Sequence, residues 1–303
     1  MPFTKLHTGD VIGAYTLGPV LAAGTFGVVF SCKAGRHRFA LKAPRHTPEA
    51  VASLENERNA LEALQGEAVV ALHDVLRDGT GHPLLVLEYG ESLDDTLDKL
   101  RRRNAALDET TLRRMQGDLV RALAFVHARG YVHGDVKPEN VLLKRGAVKL
   151  CDFGDARVER PRESDPPNTT LPYRAPELIL ARPPYTRAAD VWALACTLYE
   201  MATRELLFDP EDDETWSDNN DVDARHLALM GDLIPASRRK APHYTSRGEA
   251  VAPATPVDMG ARLVEEARLE DTTPLAAWLG RALRFAPGER ATCKALLEDP
   301  WLA

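Results

Sequence analysis

One stretch constrains this chain more tightly than any other: Tyr131-Val132-His133-Gly134-Asp135-Val136-Lys137-Pro138-Glu139-Asn140, followed eleven residues after Asn140 by Cys151-Asp152-Phe153-Gly154. A single Asp or Asn in a loop is ordinary turn chemistry, because its short side chain bonds to nearby backbone. Two aspartates, a lysine and an asparagine at fixed spacing, set between apolar runs, ask for more than turns. The chain is long enough to scaffold them. At 303 residues it builds a large core, and the usual allowance of about 100–200 residues per domain divides it into two packed lobes.

From Tyr15 to Lys42, short runs rich in Val, Phe, Leu and Ala are punctuated by Gly18, Gly24, Gly27 and Gly35, which predicts consecutive antiparallel strands. Residues 48–65 open with Pro48 after Thr47 and carry Val51, Leu54, Leu61 and Leu64 at helical spacing. Apolar runs at 69–76 and 84–87 read as strands. Glu88-Tyr89-Gly90-Glu91 then breaks the pattern before a polar helix, and the hinge between lobes is placed there. Beyond it, 110–129, 190–203 and 274–285 are helical, with Gly130 as a C-terminal stop, whereas 235–260 has no clear period and reads as a surface loop. The expected fold class is α+β: a β-rich lobe over 1–90 with one main helix, and a larger α-helical lobe over 91–303 with an acidic insert at about 205–260.

Leu21-Ala22-Ala23-Gly24-Thr25-Phe26-Gly27-Val28-Val29 matches a loop that covers a nucleotide, where missing side chains let backbone N–H groups approach phosphates. It departs from that pattern at Ala22, and two glycines between strands also make ordinary hairpins. Lys42, at the end of the apolar run Phe39-Ala40-Leu41, sets a cation within reach of phosphates beneath such a loop. The lysine needs a carboxylate. Glu57 is chosen over Glu55 because Leu61 and Leu64 share its helix face.

Taken together, the segments resemble the eukaryotic protein kinase family over about residues 15–302. The resemblance implies serine/threonine protein kinase activity with ATP and Mg²⁺ as cofactors. It implies that Asp135 orients the attacking hydroxyl and accepts its proton, while Lys137 neutralises charge developing on the phosphoryl group. Asn140 and Asp152 supply oxygen ligands to the metal. ATP is expected against Leu21, Ala22, Ala23, Gly24, Thr25, Phe26, Gly27 and Val29, against Ala40, Lys42 and Glu57, against Leu87, Glu88, Gly90 and Ser92 at the hinge, and against Leu142. Cys151 is expected to face the adenine pocket without reactivity. Thr170-Leu171-Pro172-Tyr173-Arg174-Ala175-Pro176-Glu177 resembles the end of an activation segment, with Thr170 bonding near Asp135 and Lys137. Asp190-Val191-Trp192 resembles the start of the buried central helix, and Arg290 matches the arginine that pairs with Glu177.

Within that family the chain resembles the CMGC group, most closely the SR-protein kinases, with the LAMMER kinases second. The carriers are Trp192-Ala193-Leu194-Ala195-Cys196, Leu207-Phe208-Asp209-Pro210 and Asp223-Ala224-Arg225-His226-Leu227-Ala228-Leu229-Met230. This implies arginine/serine-rich substrates. Charge supports the implication: residues 205–232 hold ten Asp or Glu against one Arg, leaving 37 basic and 35 acidic residues elsewhere. Asp218, Asp221 and Asp223 are the expected docking carboxylates, with Thr170 and Arg174 in the substrate platform. Gly134 stands where regulated kinases carry an arginine that grips a phosphorylated segment, and residues 155–169 offer only Ser164 and Thr169 amid carboxylates. Constitutive activity is expected.

The remaining features exclude more than they assign. No run of about 18 apolar residues occurs and the first residues lack the zones of a signal peptide, so a cytoplasmic or nuclear protein without membrane contact is expected. Cys32, Cys151, Cys196 and Cys293 are too scattered for a disulfide framework or a zinc cluster. The acidic block argues against nucleic acid as a direct ligand of that surface. Oligomeric state is not legible. A proline-directed kinase of the same group, for which Arg174 is equally suited, and a pseudokinase scaffold are the alternatives. A small-molecule kinase would lack Ala175-Pro176-Glu177 and the helix at Asp190.

Overall fold

The computed structural model describes residues 6–45, 47–159, 169–180, 185–210, 219–240, 242–252 and 254–302. The N-terminal lobe contains β1 (Val11–Ile12), β2 (Tyr15–Ala23), β3 (Gly27–Ala34), β4 (His37–Pro44), α1 (Pro48–Ala63), β5 (Leu72–Arg77) and β6 (Pro83–Glu88). The six strands form one antiparallel sheet in the order β1-β2-β3-β4-β6-β5. Side chains alternate between its faces. Leu84 and Val86 join Leu17, Phe30, Leu41 and Ala43 in a small cluster, while Leu85 and Leu87 turn into the main core with Leu54 and Leu61 of α1. Thr47 starts α1 as its N-cap, with Oγ1 accepting from Ala50 N at 3.2 Å and Pro48 in the first turn.

Past the hinge come β7 (Glu91–Ser92), α2 (Leu93–Arg102), α3 (Glu109–Ala128), β8 (Tyr131–Val132), β9 (Val141–Lys144), β10 (Ala147–Leu150) and β11 (Arg157–Val158). β9 and β10 form a hairpin around Arg145 and Gly146, at φ +50° and +84°, the left-handed pair that a two-residue turn needs. β8 pairs with β11. Then follow α4 (Pro176–Leu180), α5 (Arg187–Thr203), α6 (Asn219–Met230), α7 (Met259–Glu266), α8 (Thr273–Ala282) and α9 (Cys293–Leu297).

Every residue of α5 from Ala189 to Thr203 is buried, as expected of a helix apolar on all sides at the centre of a lobe. Its one buried acid at the N-terminal end organises the lobe. Asp190 accepts from His133 N at 2.8 Å, Gly134 N at 3.0 Å and the Tyr185 hydroxyl at 2.8 Å, and bonds His127 Nε2 at 2.8 Å. Hydrogen bonds outweigh burial and hold its carboxyl below the usual range. The loop that begins at His133 is thereby fixed to the core.

Two expectations shift. Val69 is not strand. It forms an isolated parallel bridge with Leu150, and Val70 N donates to Leu150 O at 2.8 Å, tying the N-terminal lobe to the β9–β10 hairpin. The stretch at 235–260 is not wholly irregular, since a 3₁₀ turn covers Ala236–Arg238, Tyr244 pairs with Ala250, and α7 begins at Met259. Its anchors, Tyr244 and Ala252, are buried but too sparse to show a period. No helix among the described residues is long and apolar enough to cross a membrane.

Candidate active site

The site forms where β4, α1 and the two loops around β9 and β10 meet. Lys42 Nζ donates to Glu57 Oε2 at 2.6 Å and to Asp152 Oδ1 at 2.8 Å. Burial opposes a charge on Lys42, but the two carboxylates outweigh it and raise its pKa well above the ordinary value. Burial raises Glu57 despite Lys42, whereas Lys42 outweighs burial at Asp152 and lowers it. Glu55 instead faces Arg58 at 2.9 Å. Asp152 adopts φ +60°, a left-handed conformation uncommon for non-glycine residues, though aspartate takes it more readily than most.

Across the cleft, Asp135 Oδ1 accepts from Thr170 N at 3.2 Å and from its hydroxyl at 2.9 Å. Lys137 Nζ reaches Thr170 Oγ1 at 2.6 Å and Asp135 Oδ2 at 2.8 Å. Asn140 Nδ2 donates to Asp135 O at 2.8 Å and Oδ2 at 3.0 Å. This fixes the amide with Oδ1 outward. Oδ1 of Asn140 and Oδ2 of Asp152 accept from no described residue, so each keeps an oxygen for a hard cation, and the donor set suits Mg²⁺. A cavity of about 510 Å³ connects Gly24 and Phe26 with Lys42, Asp135, Asn140 and Asp152.

The glycines above the cavity differ in what demands them. A Cβ on Gly27 would lie 2.6 Å from Ala43 O, so the fold requires that glycine. A Cβ on Gly24 would meet nothing within 4 Å, so packing does not require a glycine there, although Gly24 borders the cavity. Arg45 Nε holds Gly24 O at 2.5 Å, and Gly24 N donates to Gly27 O at 3.0 Å. Leu21, Ala22, Ala23 and Thr25 lie exposed along this loop, and Val29 stands opposite Lys42 on β3.

At the hinge, Ala40 pairs with Leu87 and Ser92 with Leu142. A Cβ on Gly90 would sit 3.1 Å from Leu142 Cβ, so the chain passes close over β9. Two nucleotide expectations change here for the side chains. The Glu88 carboxylate is held by Lys144 at 2.7 Å, Lys149 at 2.8 Å and Ala71 N at 3.2 Å, contacts that outweigh burial and lower its pKa to about 2. Ser92 Oγ caps α2, accepting from Asp95 N at 3.0 Å. Cys151 is half-buried, and burial pushes its thiol far above the usual range.

The expected docking surface changes more. Arg174 Nη1 pairs with Asp223 at 3.3 Å, while Nη2 and Nε bond Thr169 O at 2.7 Å and Oγ1 at 3.1 Å. Asp223 therefore braces the platform instead of presenting a free carboxylate. Asp218, the side chain of Asp221, and Ser164 with its acidic neighbours Glu163 and Asp165 lie outside the described residues.

Two features escaped the sequence reading. Asp155 lines the same cavity; burial, then Asp135 and Asp152, push its carboxyl up to about 6. Glu200, on α5, is 4% exposed, accepts from the Tyr173 hydroxyl at 2.6 Å and lies 3.7 Å from Arg101. Burial, with Glu139 and Asp94 adding repulsion, raises it to about 7. Partial desolvation also raises Asp94, which is half-buried, and Glu139, whose side chain is nonetheless open to solvent. The late acid in Lys137-Pro138-Glu139-Asn140 was the available signal, but only the fold brings Glu200 and Asp94 near it.

A two-lobed scaffold with a clamped lysine beneath a glycine loop, facing an aspartate and two free oxygen donors, defines a phosphotransferase. The chain belongs to the protein kinase family: the family model described as Protein kinase domain matches residues 15–302. It is 31% identical over 291 residues to "Cyclin-dependent kinase-like 4" of Homo sapiens, covering 92% of this chain and 72% of that one. It is 31% identical over 309 residues to "Cell division control protein 2 homolog 3" of Trypanosoma brucei brucei, covering 97% and 93%. It is 28% identical over 307 residues to "Cyclin-dependent kinase 2" of Caenorhabditis elegans, covering 95% and 78%. The chain is thus a protein serine/threonine kinase with cyclin-dependent-kinase-like relatives in the CMGC group, from a family that uses ATP and Mg²⁺.

Proposed function

We propose that this kinase phosphorylates serine or threonine in arginine-containing segments of proteins. The observation that carries the reading is an acidic group at the loop of Asp135: Glu200, 4% exposed on α5, with the exposed Glu139 and half-buried Asp94 near enough to repel it, so that all three carboxyls are shifted upward. Carboxyls in that state gain from a cation that replaces lost water, and a substrate guanidinium supplies one with five donors. This moves the expected arginine contact from the insert to the cleft.

In this reading Asp135 receives the acceptor hydroxyl and its proton, and Lys137, held against Asp135 and Thr170, neutralises charge on the phosphoryl group in transfer. Lys42 holds phosphates, with Glu57 fixing its direction. Asn140 Oδ1 and Asp152 Oδ2 would hold Mg²⁺, which when bound offsets the charge of the phosphates. Gly134 supports activity without segment phosphorylation, because no side chain there grips an added phosphate.

A second reading adds proline after the acceptor. Arg174 already donates to Thr169 O, so that carbonyl needs no N–H from the substrate, and proline brings none. Transfer from Mg-ATP to four peptides, with and without arginine and with and without a following proline, tests both. The first reading expects arginine to lower KM at least about tenfold, roughly 1.4 kcal/mol. Equal kcat/KM for peptides with and without arginine would overturn it.

A further inference from the structure

Between the end of α4, the stretch after α6 and the connection from α8 to α9 lies a second cavity, of about 400 Å³. Its lining combines the basic Arg238, Lys240 and His243 with the apolar Leu180, Phe285 and Pro287. In a chain of net charge -7 this is a local reversal of sign. Glu177 also borders the cavity, but both its oxygens are held by Arg290, at 2.7 and 2.6 Å, so it contributes no free anion.

The run Arg238-Arg239-Lys240 divides its work. Arg239 is structural, donating to Gly231 O and Ile234 O at 3.1 Å each and to Asp232 at 3.3 Å. Arg238, Lys240 and the His243 ring make no hydrogen bond or ion pair with any described residue. The backbone of two of them is bonded in place: Arg238 N donates to Pro235 O at 2.8 Å, and His243 O accepts from Val251 N at 3.1 Å beside the Tyr244–Ala250 bridge. Unpaired cations that share a cavity with apolar side chains suit an anion that carries an apolar neighbour.

We propose that this cavity docks a phosphorylated segment of a protein, a phosphoserine or phosphothreonine next to an apolar residue. A phosphate offers about two negative charges and three acceptor oxygens, enough for the Arg238 fork, the Lys240 ammonium and the His243 ring together, where one carboxylate is not. Phosphate alone would leave Leu180, Phe285 and Pro287 uncovered. The ligand is also the chemical product of this enzyme class, so a protein phosphorylated once is retained while a further hydroxyl enters the cleft. The proposal does not depend on the preference for arginine.

The test uses the full chain and fluorescence anisotropy. The probes are a labelled pentapeptide with phosphoserine between two leucines, its unphosphorylated twin, inorganic phosphate as competitor, and phosphatidylserine vesicles. The phosphopeptide is expected to bind at least about tenfold more tightly than the twin, with loss of about tenfold or more in the Arg238→Glu/Lys240→Glu variant. Inorganic phosphate is expected to compete only at far higher concentration. The variant is expected to keep its kcat/KM on an unphosphorylated peptide, which shows that it is folded. Equal binding of the twins, unchanged binding by the variant, phosphate competing as well as the phosphopeptide, or binding confined to vesicles would each overturn the proposal.

Discussion

Lys42 Nζ sits 2.6 Å from Glu57 and 2.8 Å from Asp152, so one cation joins the sheet, the helix of the small lobe and the loop after β10. Removing it leaves the buried Glu57 carboxylate beside that of Asp152 with no cation between them. Lys42→Met is expected to lower kcat by about 10²–10³. It is also expected to weaken nucleotide binding. Steady-state kinetics and nucleotide titration check both, and a variant with near-normal turnover would remove Lys42 from the mechanism.

Glu200 makes the substrate reading dependent on pH. Its folded pKa of about 7 lies above the roughly 4.3 of an unfolded glutamate, so between those values the folded state holds the extra proton. Its stabilising share is complete below the lower value and is lost as pH rises through 7. Wild type is expected to lose stability relative to Glu200→Gln between pH 5 and 8, on the order of 1–3 kcal/mol. Over pH 6–8, KM for an arginine peptide is expected to fall in wild type as the carboxylate forms, and to stay flat in Glu200→Gln. Parallel pH profiles would contradict this.

Gly134 adopts φ +94°, and a Cβ there would lie 2.8 Å from Asp155 O and 3.0 Å from Asp155 Cβ. Gly134→Ala is therefore expected to cost about 1–3 kcal/mol, and Gly134→Arg at least as much. Denaturant unfolding measures the loss. An arginine tolerated without loss would show that the loop can rearrange to hold one.

Arg290 has a fully buried side chain, paired to both oxygens of Glu177 and bonded to three carbonyls. Arg290→Ala leaves a carboxylate near the core and is expected to cost about 3–5 kcal/mol. Calorimetry or denaturation decides, and a change under about 1 kcal/mol would make the pair dispensable.

Legibility followed distance along the chain. Thr47-Pro48 and the spacing of Leu54, Leu61 and Leu64 are local signals, so α1 and the inward face of Glu57 were readable. The loop at Asp135 and Asp152 was readable because its residue types and spacing are held within one short stretch. Glu88 and Ser92 were read by position at the hinge, but their carboxylate and hydroxyl bond to Lys144, Lys149 and Asp95, which local pattern does not reveal. Asp223 looked like a free docking charge because Arg174, 49 residues earlier, meets it only in the fold. Glu200, Glu139 and Asp94 come from α5, the catalytic loop and α2, and each alone is an unremarkable acid.

The most direct measurement is transfer of labelled γ-phosphate from Mg-ATP to a serine peptide by the purified chain and by Asp135→Asn. Because the substitution removes the proton acceptor but leaves Lys42, Asn140 and Asp152 in place, kcat is expected to fall about 10²–10⁴ with nucleotide affinity little changed. Labelled phosphoserine at wild-type rates from Asp135→Asn, or none from either protein at saturating Mg-ATP, would contradict the assignment of this cleft as the catalytic centre.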